Sequence, residues 1–463
     1  MKKCDVLYIH STRNPIGEDN MKFAVMPMGI IGILNNLKSK DIDILGLNYA
    51  IEKTLDSSFE LLDALNNIEY KILMTDLHWY EHSFGAMYVA EQSKKAKPNT
   101  PVIIGGYTST IYSEEIMRNF DCVDYIVTGD SDLPTEMLVE RLLGRTSTDF
   151  RKIPNIWYRD DGIKCSGETW VQTDLDSIDF INTDFFEHEK LVPYLSTGGA
   201  KRVKSERWIC IARGCKYNCA YCCGANKNME ALFKRCNVLT RSPEKVAQDF
   251  FELDSKGIWH IAPSHDFQMF GKAYYKSVFS EIRKRNIKPG LYLECFQLPT
   301  KDFIDEIEQT FDKKRTILVI SPISGNEKIR FENGKKFSNN DFYEAVNYII
   351  SKGIPIQIYY TQNPIGETNE QYEDTVFQMT YLRQLYGLTK NNVFYQRVVI
   401  DPLAGMRDWN NVEVKYNTFM DYYNYCKNTT SDRAPTGYND GGEVPLETKK
   451  KMYNTLFGIS NEK

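Results

Sequence analysis

The sequence predicts two successive α/β domains. The first is a Rossmann-like, flavodoxin-like doubly wound domain over residues 1–145. The second is a partial (β/α)6 barrel over 206–400, with a connector at 146–205 and a small C-terminal extension at 401–463. Three observations predict this. Short apolar runs alternate with helical patterns from the first residues to about 145. A second alternating series opens near residue 206. Three thiols, Cys215, Cys219 and Cys222, stand in a loop at the head of that series. At 463 residues and 42% hydrophobic, the chain is long enough for two or three cored domains.

In the first domain, strands are expected at 5–10, 42–47, 72–76, 101–106 and 124–130, with helices at 29–37 and through 87–90. Strands alternating with helices imply a parallel sheet, and such sheets bind ligands at the carboxyl ends of their strands. Thr75-Asp76, Gly105-Gly106 and Gly129-Asp130 fall at those ends. Paired glycines there let backbone approach a flat ligand closely. Pro27-Met28-Gly29 opens the first helix, and Tyr107-Thr108 follow the glycine pair.

In the connector, 153–162 reads as a strand and a tight turn at Asp161-Gly162. The basic stretch 201–204 reads as a solvated charge run.

In the second domain, an apolar run at 208–211 precedes the thiols, and strands are expected at 258–262, 291–295, 316–321, 355–360 and 393–398. Barrel enzymes place their chemistry at strand carboxyl ends. Asp266, Glu294, Ser324, Gln357, Tyr360 and Gln396 lie on or just after these strands, and Glu294 and Tyr360 are the candidate catalytic residues. Glu294 is an isolated acid in an apolar run, and a buried acid needs a partner: a bound ligand or an ion pair inside the barrel. The tyrosine-rich segment 421–426 is expected to close the bottom of the barrel or line a substrate mouth.

Composition excludes several classes. A net charge of −5 argues against a grip on a nucleic-acid backbone. No early segment has the parts of a secretory signal, and no apolar run reaches about 18 residues, so no membrane span is expected. Eleven cysteines without export signals read as reduced thiols in a cytoplasmic protein.

Three closely spaced thiolates suit a cubane 4Fe–4S cluster and leave one iron open to a small chelating molecule. The alternative is a zinc site completed by Cys223 or Cys236. The Cys-x3-Cys-x2-Cys spacing, with Tyr221 just before the third thiol, resembles the cluster motif of the radical S-adenosylmethionine (SAM) superfamily. The succession Pro27-Met28-Gly29, Gly105-Gly106-Tyr107-Thr108 and Gly129-Asp130 resembles the cobalamin-binding domain fused ahead of the radical domain in cobalamin-dependent members. Asp266 and Ser324 match positions that meet SAM, and Pro364-Ile365-Gly366-Glu367-Thr368 is close to a further signature. There are departures. Ile323 stands where the family has Glu, Ile365 is extra, and Asp130 and Asp132 replace glutamates. The Asp-x-His-x-x-Gly motif that supplies a cobalt ligand is absent, with Asp76-Leu77-His78 as a near miss.

The resemblance implies a 4Fe–4S cluster, SAM and cobalamin as cofactors, and an electron donor of flavodoxin or ferredoxin type. It implies a methyltransferase acting on an unactivated carbon. A 5′-deoxyadenosyl radical would remove hydrogen from a small-molecule or peptide substrate in the cavity between the domains, and methylcobalamin would deliver the methyl. Rearrangement or cyclisation with the same cofactors is an alternative, as is a redox-sensing protein with a degenerate cobalamin domain.

Overall fold

The computed structural model describes residues 2–16, 25–195, 204–429 and 442–459, so Lys201 and Arg202 of the basic stretch lie outside it. The first sheet has seven strands: β1 (Lys2–His10), β2 (Ile44–Asn48), β3 (Ile68–Asp76), β4 (Val102–Gly105), β5 (Tyr125–Val127), β6 (Ile156–Arg159) and β7 (Ile163–Cys165), in the order β2-β1-β3-β4-β5-β6-β7. β1 to β5 pair in parallel. Their side chains alternate between two cores. Leu7, Ile9, Leu73 and Ile104 face the helices Leu61–Asn67 and Ser83–Ala96, whereas Val6, Tyr8, Met74 and Ile103 face Met28–Lys38 and Asp132–Leu142. Both faces of the sheet are thus covered, and this is why its strands read as near-continuous apolar runs.

Two segments depart from the expected boundaries. The hairpin β6–β7, expected in the connector, joins the first sheet antiparallel against β5. Asp161 and Gly162 take φ of 45° and 108° at its turn. β5 has only three residues and would otherwise expose an open edge, which the hairpin covers. The helix Phe419–Asn428 does not close the barrel. Its Phe419, Tyr423 and Cys426 enter the core of the first unit beside Phe84 and Phe120. The first compact unit accordingly comprises Met1–Cys210, Met229–Leu239 and Tyr416–Pro435, and the second comprises Ile211–Asn228, Thr240–Lys415 and Thr436–Lys463.

The second sheet has six strands: β8 (Glu206–Ile209), then, after the short pair β9 (Ala212–Arg213) and β10 (Leu239–Thr240), β11 (His260–Pro263), β12 (Leu291–Cys295), β13 (Thr316–Ile323), β14 (Ile356–Thr361) and β15 (Val393–Gln396). Their spatial order follows chain order, β15-β14-β13-β12-β11-β8, as in a partial (β/α)6 barrel. The crossover helices start at side-chain caps. Ser242, Thr300, Ser338 and Thr368 each accept a backbone N–H of the first turn, and Ser338 and Thr368 complete capping boxes. Glu367, just before that last cap, is paired with Lys449 of the helix Leu446–Phe457, both almost fully buried.

Candidate functional site

The three-thiol loop leaves β9 through Gly214, whose φ of 90° turns the chain in a conformation that side chains rarely adopt. Cys215, Cys219 and Cys222 are half-buried and unbridged. The loop is pinned from two sides. On one side, His265 Nε2 donates to the Gly214 carbonyl at 3.0 Å, while its Nδ1 lies 2.7 Å from Ser264 Oγ. A carbonyl can only accept, so the imidazole carries its proton on Nε2 and accepts from the serine through Nδ1. Ser264 Oγ in turn accepts the Ile211 N–H at 3.1 Å. Burial lowers the His265 pKa to about 4, so the ring stays neutral. On the other side, Asp401 Oδ2 accepts the Cys223 N–H at 3.0 Å, and the Met406 N–H reaches the Ala220 carbonyl at 2.7 Å.

The donor set fits a cubane better than a single ion. A tetrahedral zinc at its usual Zn–S length sets sulfurs about 3.8 Å apart. Among the described residues, the one group of three or more His, Cys, Asp or Glu with ligand atoms within 4.8 Å of one another contains none of these thiols. Cys223 is buried and Cys236 exposed, and among the described residues neither falls in a ligand group with these thiols. Without iron, burial and then the charge of Asp401 push the Cys222 thiol up to about 12. Iron at the sulfur would reverse that, since coordination deprotonates a thiol.

Two further groups support the loop, and no motif or spacing pointed to them. Lys335 is buried and donates to the Phe296 carbonyl at 2.8 Å, within reach of the charges of Cys219, Glu294 and Asp266. Gly334, at φ 89°, lies so close that a Cβ there would sit 3.2 Å from Cys219 Cα. Asp266 is 1% exposed, and its two oxygens accept the Gln268 and Phe296 N–H groups at 2.9 and 3.0 Å. It therefore ties the ends of β11 and β12 together, and burial raises its pKa to about 6.

Sheet register sorts the remaining barrel residues. Glu294 pairs with Val319 and Val319 with Gln357, while Tyr359 pairs with Phe394 and Thr361 with Gln396. Partners in register, and residues two apart on a strand, share a face. Glu294, Gln357, Tyr359, Phe394 and Gln396 therefore line one face, where Tyr359 and Phe394 stack at 4.5 Å. Tyr360 points the other way, and its hydroxyl donates to Gln378 of the helix Asn369–Tyr386 at 2.7 Å. It packs strand against helix, so the aromatic residue on the open face is Tyr359. Glu294 is exposed on that face, contrary to the buried acid expected from the apolar run. Ser324 is fully buried, 3.1 Å from Thr375 Oγ1 on that helix. Ile323, in the place of the expected Glu, has a φ of 71° where β13 loses its regular register.

In the first unit, the ends of β3 and β4 are laced together. Thr108 Oγ1 donates to the His78 carbonyl at 2.9 Å, and the Leu77 N–H donates to the Gly105 carbonyl at 2.7 Å. Gly106 has a φ of 123°, and a Cβ there would meet Leu77 and His78 backbone at 2.6–2.7 Å, so no other residue fits. His78, Trp79, Tyr107 and Phe233 form a half-buried aromatic run with ring centroids 4.8–6.1 Å apart. Burial lowers the His78 pKa to about 4. Met28 and Gly29 are half-buried, with open space above Gly29. Other expected contacts are turned inward. Thr75 Oγ1 donates to the Ile9 carbonyl at 2.8 Å. Asp76 Oδ1 accepts from Tyr8 at 2.6 Å and lies 2.8 Å from His10 Nδ1. Burial opposes ionisation of Asp76, but His10, His82 and Tyr8 outweigh it and hold its pKa near 2. Asp130 is paired with buried Arg235 and also accepts the Gln172 N–H at 2.9 Å, while Gly129 holds a φ of 62° beside it.

Solved structures share this fold. The radical SAM methyltransferase TsrM from Kitasatospora setae, with cobalamin and a [4Fe–4S] cluster bound, superposes with a TM-score of 0.63 at 14% identity, over 90% of this chain and 77% of that one. The fold is that of the cobalamin-dependent radical SAM enzymes. OxsB, with aqua-cobalamin and SAM bound, superposes with a TM-score of 0.59 at 11% identity, over 98% of this chain and 56% of that one. In sequence, an uncharacterised methyltransferase of Pyrococcus horikoshii is 26% identical over 140 residues. That match takes in 30% of this chain and 28% of the relative, so the chain spans under a third of that protein's length. No protein-family profile matches the chain. Among the described residues, no helix of this radical SAM fold is long and apolar enough to cross a membrane.

Proposed function

We propose that this chain is a cobalamin-dependent radical SAM enzyme that transfers a methyl group to an unactivated carbon of a small-molecule or peptide substrate. The observation that carries the proposal is the set of three unbridged, half-buried thiols, fixed by His265 and Asp401 at the head of a six-stranded barrel sheet. In the proposal, Cys215, Cys219 and Cys222 hold the cluster. Gly29, Gly105, Gly106, His78 and Tyr107 meet the corrin, with Thr75, Asp76 and Asp130 bracing that wall from behind. Bound there, the cluster with SAM supplies a hydrogen-abstracting radical, and cobalamin supplies a transferable methyl.

The chain's own residues do the positioning. The Ser264–His265 relay fixes the loop backbone through Gly214. Glu294, Gln357 and Gln396 offer a carboxylate and two amides on one face of the barrel, beside the Tyr359–Phe394 stack. Such groups orient a bound nucleoside or amino acid and keep the reacting carbon in place. One-electron reduction calls for a donor of flavodoxin or ferredoxin type.

The test is anaerobic reconstitution with iron, sulfide, cobalamin, SAM and a low-potential reductant. The expected products are 5′-deoxyadenosine and S-adenosylhomocysteine, with one methyl added per product molecule. Formation of 5′-deoxyadenosine with an isomer of unchanged mass would move the assignment to rearrangement. Absence of both nucleosides would overturn it.

A further inference from the structure

The carboxyl end of β1 and the loop that follows it are made of polar residues that have no access to water. His10, Ser11, Thr12, Arg13 and Asn14 are 0–3% exposed. Helix Ser83–Ala96 comes so close to this loop that a Cβ on Gly85 would lie 1.6 Å from the Thr12 carbonyl oxygen. Only glycine permits that approach. The helix and the turn before it thus bring His82 to within 5.1 Å of His10, ring centre to ring centre.

His10, Asp76 and His82 each offer a ligand atom, and those atoms all lie within 4.8 Å of one another. The three residues are 0%, 4% and 0% exposed. Asp76 Oδ1 is held by the Tyr8 hydroxyl and His10, yet Asp76 Oδ2 and His10 Nε2 have no hydrogen-bond partner. The hydroxyls of Ser11 and Thr12, on the same loop, are buried without one as well. Unpaired polar atoms are costly in a protein interior, and a carboxylate oxygen more so than most. A bound cation would supply the missing interactions.

The donor set defines the kind of ion. Two imidazoles and one carboxylate suit zinc or ferrous iron, whereas magnesium and calcium prefer oxygen donors alone. The Tyr8 hydroxyl on Asp76 has the character of an outer-shell partner, which orients a ligating carboxylate. We propose that His10, Asp76 and His82 form a mononuclear site for a divalent ion of the zinc and ferrous class, distinct from the three-thiol loop. The site fastens the carboxyl end of β1, the carboxyl end of β3 and the turn that precedes helix Ser83–Ala96. It does not depend on the reaction proposed above.

The test uses the full chain carrying Cys215→Ala, Cys219→Ala and Cys222→Ala, so that no cluster thiol can take up metal. After chelation and dialysis the protein is titrated with Zn2+ and with Fe2+ under anaerobic conditions. One equivalent should bind, and zinc K-edge absorption should show two imidazoles with oxygen and no sulfur. His82→Asn should weaken binding at least about a hundredfold and Tyr8→Phe about tenfold. The absorption spectrum needs no variant of the site itself, so a misfolded His82→Asn chain would not remove the test. Substoichiometric binding of both ions at tenfold excess would overturn the proposal. So would sulfur scattering at the zinc edge. In the wild-type chain loaded with cob(II)alamin, nitrogen superhyperfine splitting that vanishes in His10→Gln would also overturn it, by assigning His10 to cobalt.

Discussion

Replacement of Lys449 by methionine isolates the energetics of the barrel's last loop. Lys449 and Glu367 are each 1% exposed and paired with one another. Lys449 Nζ donates to Glu367 Oε2, while Oε1 has no hydrogen-bond partner, so the lysine is the main compensation for this carboxylate. Removing one member of a buried pair leaves an uncompensated charge and costs about 3–5 kcal/mol. The penalty should depend on pH, and its sign follows from the pKa. Burial already raises the Glu367 pKa, with Lys449 acting against it, and loss of the lysine raises it further. A carboxyl whose folded pKa lies above its unfolded value contributes stability at low pH and loses it as pH rises through the folded pKa. The Lys449→Met penalty should therefore be full where the pH lies above the variant's raised Glu367 pKa. It should shrink by about 1.4 kcal/mol per pH unit once the pH falls below the variant's raised pKa. Hydrogen exchange of the helix Leu446–Phe457 between pH 5 and 8, with helix Asn339–Ser351 as internal reference, measures this locally. The double variant Glu367→Gln, Lys449→Met should recover most of the loss. A penalty below about 1 kcal/mol that does not vary with pH would mean that the pair behaves as a solvated one, and the reasoning would fail.

Joint replacement of Cys215, Cys219 and Cys222 by alanine should abolish bound iron and sulfide and all SAM cleavage, while Cys223→Ala keeps the cluster; iron and sulfide analysis of the soluble proteins decides between them. Gly106→Ala forces a Cβ into Leu77 and His78 backbone and should cost at least about 1–3 kcal/mol, read as a lowered Tm of the apoprotein. An unchanged Tm would show that the β3 and β4 ends are not laced as described. Glu294→Gln should slow formation of 5′-deoxyadenosine by about a hundredfold at unchanged iron content, because it removes a positioning charge from the open face of the barrel. Wild-type turnover in that variant would take Glu294 out of the site.

The fold was legible because it rests on local periodicity. All five strands expected in the first domain and all five expected in the second are present, and the apolar run at 208–211 overlaps the sixth strand of the second sheet, since short apolar runs covered by helices leave little ambiguity. The boundaries were less legible, because they depend on partners far away in the chain. The hairpin β6–β7 is read correctly as a hairpin from Asp161-Gly162. Its assignment to the first sheet rests on the pairing of β6 with β5, about thirty residues earlier, and nothing local encodes that. Phe419, Tyr423 and Cys426 carry a helical spacing that predicts an apolar face but not which core receives it.

The site divides in the same way, and the division has a physical cause. The three thiols lie within eight residues, so chain geometry alone brings them together. Their supports come from residues 264–266, 334–335 and 401, as much as 186 positions from Cys215, and no spacing rule connects them. Tyr360 is a different kind of miss, because its orientation was present in the sequence. In Ile356-Gln357-Ile358-Tyr359-Tyr360, a period of two sets Gln357 and Tyr359 on one side and Ile356, Ile358 and Tyr360 on the other. The isoleucines mark the side packed on helices, so Tyr360 belongs to the packing and Tyr359 to the open face. The same rule sets Glu294 opposite Leu293 and Cys295, on the face of Gln357. Burial inferred from apolar neighbours misleads for such a residue, since those neighbours point the other way. On barrel strands, phase decides which polar side chains can reach a ligand, and Glu294, Gln357 and Gln396 share that phase.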